Sequence, residues 1–103
     1  MIYIGQYEEL VPGRGYPSMR DCFEAGEYTN KEKIIHYLRT GKIDMVSMAR
    51  AIDVLTGELI PWEKLGMSDG KYMWWNTLAY YVEKYNLRLP EAFEKHILEK
   101  TQE

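Results

Sequence analysis

The chain of 103 residues holds one cysteine, Cys22, so no internal disulfide can staple the fold. Its core must hold it unaided, which suits a reducing compartment. No run comes near the roughly 20 apolar residues that a membrane-spanning helix needs. The opening MIYIGQYEEL lacks a basic leader followed by an apolar stretch, so it does not read as a secretory signal. The expected location is the cytoplasm, with no membrane partner. Basic residues are also thinly spread. Residues 1–50 carry seven basic and seven acidic side chains, and residues 51–103 carry six and nine. A phosphate-tracking surface needs clustered Lys and Arg, so nucleic acid is not an expected partner.

What remains is an ordinary globular composition, 46% hydrophobic and 28% charged. A single domain over 1–103 buries roughly two-thirds of its unfolded surface, enough for one modest core. Aromatics are mostly polar-tipped: nine Tyr and three Trp against two Phe. Both types want a hydrogen-bond partner at one edge when buried.

Ile2–Ile4 reads as a short strand ahead of a breaker-rich loop, Val11 to Pro17. Ser18 is placed to cap a helix from Met19 to Ala25, with Met19, Cys22 and Phe23 on one face. Thr29 and Glu32 have capping-box spacing, and Ile34, Tyr37 and Leu38 form a buried helical stripe that Gly41 closes. His36 falls on the opposite, solvent side. Ile43–Ile60 fits either a helical or a strand pattern; its β-branched residues and the Thr56-Gly57-Glu58 turn favour strands.

Asp69-Gly70 then predicts a hairpin between Lys64 and Trp75, with Met67 opposite Tyr72 and Leu65 opposite Trp74. Those four share one face; Ser68, Lys71, Met73 and Trp75 take the other. Asn76 is positioned to cap a helix from Thr77 to Tyr85 with Leu78, Tyr81, Val82 and Tyr85 as its stripe. That leaves Tyr80 facing water beside Glu83 and Lys84. Pro90 opens a last helix that buries Phe93 and Ile97, and the Glu99–Glu103 tail is expected to fray. The expected fold is α+β, a small antiparallel sheet with helices before and after it.

Chemistry-bearing motifs are scarce. His36, His96 and Cys22 lie on three separate elements without zinc-ligand spacing, so neither metal nor cofactor is expected. Cys22 sits between Met19 and Phe23 at core spacing, where a thiol behaves as a small hydrophobe. Gly13-Arg14-Gly15 lacks the lysine and hydroxyl of a phosphate loop, and no serine has a nucleophile-elbow context. No catalytic residue is assigned.

DVLTGELIP followed by SDGKYMWWNTLAYYVEKYNLRLPEAFEKHI, within residues 53–97, resembles small bacterial proteins of no established activity. Some of these resemble immunity proteins of polymorphic toxin systems, which bind and block a toxin. The resemblance implies a protein partner and no catalytic positions. Aromatics left over from the core point the same way, because Trp and Tyr are enriched at binding hot spots. The expectation is a non-enzymatic domain that binds another protein, such as a basic toxin domain. Trp75 and Tyr80 would centre the interface, with Asp69, Glu83 and Glu94 as acidic rim. Two alternatives stand beside it: a homodimer or higher homo-oligomer of structural role, and a small-molecule enzyme built around a pocket with a perturbed ionisable group.

Overall fold

The structure, a computed structural model, describes residues 2–101. The fold is α+β: a four-stranded sheet flanked by three helices. The strands are β1 (Ile2–Tyr3), β2 (Lys42–Val46), β3 (Leu65–Ser68) and β4 (Tyr72–Trp75). The helices are α1 (Lys31–Arg39), α2 (Thr77–Tyr85) and α3 (Glu91–Thr101), and a single 3-10 turn spans Met19–Cys22. The sheet order is β1-β4-β3-β2, so β1 and β2 are its edges. The sheet is mixed rather than antiparallel throughout, because β1 pairs parallel to β4, Ile2 opposite Tyr72.

The β3–β4 hairpin forms one register step away from the expected one. Met67 lies opposite Trp74 and Ser68 opposite Met73, which makes Gly70-Lys71 the two-residue loop. Gly70 supplies the positive φ of 94° that the loop needs. Asp69 acts instead as a side-chain cap: Oδ1 accepts the N–H of Lys71 at 2.9 Å and of Tyr72 at 2.7 Å. Since the shift preserves alternation, Leu65, Met67, Tyr72 and Trp74 still share a face.

Helix ends differ more. Asn30, in left-handed conformation at φ 65°, precedes α1 without a side-chain cap, so the Thr29/Glu32 box does not form. The Lys31 ammonium ties this end to the end of α2, donating to the Glu83 carbonyl at 3.0 Å and to Asn86 Oδ1 at 2.6 Å. Asn76 is helical itself (φ −58°, ψ −24°), and its side chain leaves the helix to bond Leu65 N–H and the Glu63 carbonyl. The predicted Met19–Ala25 helix stops at Cys22, because the chain there pairs with the segment after α2: Arg88 N–H reaches the Cys22 carbonyl at 2.7 Å, and Phe23 bridges Leu87. Ser18 does cap that turn, accepting from Arg20 N–H. α3 continues to Thr101, so fraying is not seen at Glu99–Thr101; residues 102 and 103 lie outside the described ones.

The core gathers Ile34 and Leu38 of α1, Leu78, Tyr81 and Val82 of α2, and Phe93 and Ile97 of α3 around Trp74. The Trp74 ring stacks on Tyr37 (5.8 Å) and meets Phe93 (5.5 Å), while its Nε1–H donates to the Leu38 carbonyl at 2.9 Å. Burying such a ring contributes about 5 kcal/mol of gross transfer free energy. Its fit demands Gly41, where a Cβ would stand 2.9 Å from Trp74 Cζ2 and 3.1 Å from the Ser68 carbonyl. Gly41 therefore admits the indole rather than capping α1 with a positive φ. Gly41→Ala should lower stability by about 1–3 kcal/mol, a fall of at least about 5 °C in Tm. An unchanged melting curve by circular dichroism would contradict this packing.

Candidate docking surface

Between buried Ala51 and Ile60, the stretch Ile52–Val54 is turned inside out. Ile52 and Leu59 face each other in an isolated bridge, joined through a turn at 54–56. Strand-like alternation should hide the aliphatic residues and expose the acid. Instead Ile52, Val54 and Leu59 are 47%, 44% and 58% exposed, while Asp53 is 0% exposed.

A set of α2 hydroxyls holds this inversion in place. Asp53 Oδ2 accepts the O–H of Tyr85 at 2.6 Å and of Tyr80 at 2.8 Å, and Oδ1 accepts Leu55 N–H at 2.8 Å. The Lys84 ammonium stands 3.6 Å from Oδ2 and donates to the Tyr80 oxygen at 3.0 Å. Burial alone would raise the pKa of this carboxyl, but the donated hydrogen bonds, Tyr85 foremost, outweigh it and hold the acid below its ordinary value. Between the two sits Tyr81, whose oxygen accepts Val54 N–H and whose O–H donates to the Ile52 carbonyl; burial pushes its phenol up to about 12. Three tyrosines of α2 thus grip Ile52–Val54 by backbone and side chain.

Beside this segment lies Trp75. It is half-buried, with the Lys64 ammonium 4.7 Å from its ring. Trp75, Lys64, Ile52, Val54, Tyr3 and Leu10 line a groove of ≈ 170 Å³. On its other flank Trp75 reaches β2 across Gly66, where a Cβ would touch both Met45 and the Trp75 ring. Met45 and Trp75 thus flank Gly66 on one face of the sheet. Seven of the eight exposed large hydrophobics among the described residues fall between Ile43 and Leu59. A patch of this kind exceeds the scattered apolar exposure normal for a monomer surface.

The five residues expected at an interface separate. Trp75 belongs to the apolar surface. Tyr80 is only partly exposed: its hydroxyl is spent on Asp53 and its ring packs edge-on against Trp62 at 5.9 Å. Glu83 is exposed on α2, away from any ion pair among the described residues. Asp69 and Glu94 are not rim groups. Glu94 is buried, takes a two-point hydrogen bond from Arg88 (2.6 and 3.1 Å) and accepts Leu89 N–H. Asp69 Oδ2 accepts from Tyr37 O–H and from His96 Nε2 at 2.7 Å, which ties the hairpin turn to α1 and α3. This is the one carboxylate–imidazole pair among the described residues, and the Tyr37 hydroxyl joins it, 3.5 Å from His96 Nε2. No group of three or more metal-ligating side chains occurs among the described residues, and burial raises the Cys22 thiol pKa. Comparison with protein-family models, curated proteins and solved structures finds no match to this chain.

Two measurements check these assignments. Asp53→Ala removes the shared acceptor and should cost about 2–4 kcal/mol. Faster hydrogen exchange at Val54 and Leu55 than at Leu38 would accompany it, and uniform exchange would refute a local clamp. Asp69 is held at about 2, because hydrogen bonds from Tyr37, Tyr72, Lys71 and His96 outweigh the burial that would raise it. A depressed acid stabilises fully above its unfolded pKa near 4, and that contribution, about 2 kcal/mol, vanishes as pH falls to 2. Urea unfolding of Asp69→Asn should therefore show a shallower loss between pH 4 and pH 2 than the parent; parallel curves would remove Asp69 from the account.

Proposed function

We propose that this chain binds another protein through the apolar surface formed by Ile52, Val54 and Leu59 with the groove at Trp75. The inside-out loop supports this reading. Displaying three large aliphatic side chains while burying an aspartate is costly to a folded monomer. The polar clamp beneath fixes the display in one shape, and a rigid apolar surface loses little entropy when a partner covers it. Interfaces of standard size take about 800 Å² from each partner, a modest share of the 6467 Å² surface.

An inhibitor of the immunity type is one form of this reading, and it draws on the resemblance of residues 53–97. Charges flanking the surface are of both signs: Asp44, Glu58 and Glu63 against Lys42 and Lys64. A basic toxin domain would thus be held mainly by apolar contact, with charge guiding encounter.

The test is an affinity pull-down from host lysate with the parent, with Ile52→Lys/Val54→Lys, and with Lys33→Glu on exposed α1. A single stoichiometric partner should stay with the parent and the α1 variant at high salt. The double variant, whose sites are already solvated, should fold normally and bind at least about 30-fold more weakly. Undiminished capture by the double variant, or no partner at all, would sink the proposal.

A further inference from the structure

β2 is the free edge of the sheet, and all five of its residues are exposed. Edge strands commonly keep one face polar. This one does not. The register slips between Ile43 and Met45, so Ile43 and Val46 pair with Met67 and Leu65 on the Trp74 face, while Met45 pairs with Gly66 on the opposite face. Ile43, Met45 and Val46 remain 54%, 53% and 60% exposed, and Met48 just beyond is nearly fully so. A strand that is apolar toward both faces has the pattern of one with neighbours on both sides.

We propose that β2 pairs antiparallel with β2 of a second copy about a two-fold axis at Ile43, joining two four-stranded sheets into one. The inference goes beyond partner docking at the inverted loop and does not depend on it. Charge selects the occupant and the register. With Ile43 opposite its own copy, Lys42 stands opposite Asp44 at both crossings, two complementary pairs. Centring the axis on Asp44 would oppose two carboxylates. In the free chain these side chains meet each other at 4.0 Å, the Lys42 side chain 81% and the Asp44 side chain 38% exposed.

Edge-to-edge pairing also gives partners to the outer backbone N–H and C=O groups of β2 and sets the flanks of Ile43, Met45 and Val46 against the second copy. The arrangement closes on itself, since an isologous contact uses the same patch twice. β1 at the opposite edge has two residues, too short to propagate pairing into a fibre.

Sedimentation equilibrium of the full chain over a concentration series tests this. The parent should approach twice its 12.2 kDa. Ile43→Lys and Lys42→Asp should each shift the midpoint at least tenfold towards monomer with unchanged circular dichroism. Lys42→Asp/Asp44→Lys, which restores opposite charges across the axis, should recover most of the association. A parent that stays monomeric at 100-fold dilution steps up to millimolar chain overturns the proposal. A dimer indifferent to all three variants overturns it too, by placing the contact elsewhere. Neither result bears on capture of a different protein at Ile52 and Val54, so the two proposals fail separately.

Discussion

The exposed apolar surface depends on one carboxylate. Asp53 has no access to water and must find every partner within the protein, which it does: two phenols, one amide and a nearby ammonium. An unpaired charge there would be prohibitive. Satisfied, it becomes a nail driven through the loop into α2. Ile52 and Val54 cannot rotate inward to replace it without stranding those donors. The polar interior and the apolar exterior of the segment are therefore the same fact seen from two sides.

Similar ties recur where the elements meet. Glu94 collects Arg88 and the Leu89 amide before α3; Asp69 collects Tyr37 and His96 at the hairpin. Asp53 and Asp69 take donors from elements far apart in sequence, while Glu94 binds the turn that leads into its own helix. The aromatic core supplies bulk and Trp74 a centre, but apolar contact alone is tolerant of small slides. Directional bonds to two buried acids and the half-buried Asp69 fix how helices, turn and loop sit on that core.

Much of the architecture was legible from periodicity. The Ile34/Leu38 and Leu78/Tyr81/Val82 stripes, the Pro90 start and the hairpin all follow from local spacing, because local spacing causes them. The hairpin loop moved by one residue since Asp69 is worth more as an acceptor for Lys71 and Tyr72 than as a turn residue. Capping signals at Thr29 and Asn76 failed for a shared reason: tertiary partners, Lys31 with Asn86 and Asn76 with Leu65, outbid local ones. β1 could not be read as parallel, as nothing near Ile2 encodes Tyr72. Solvent-facing helical phase put Tyr80 outside, and only the acid 27 residues away draws it in. A usable signal did exist in Ile52-Asp53-Val54: an acid at the buried phase of an alternating run, beside a helix with three tyrosines, asks for hydroxyl partners.

One arrangement also constrains how the chain can come to be folded. Ile2 pairs beside Tyr72, Tyr7 O–H reaches the Arg88 carbonyl, Tyr28 O–H reaches the Leu87 carbonyl, and Phe23 bridges Leu87. Residues 2–30 are thus stitched mainly to residues 71–89. During synthesis they emerge well before the segment that supplies these partners. Its loops are closed late, at high entropic cost and across long sequence separations. Residues 2–30 are made before they can be placed, and wait, open, for residues 71–89.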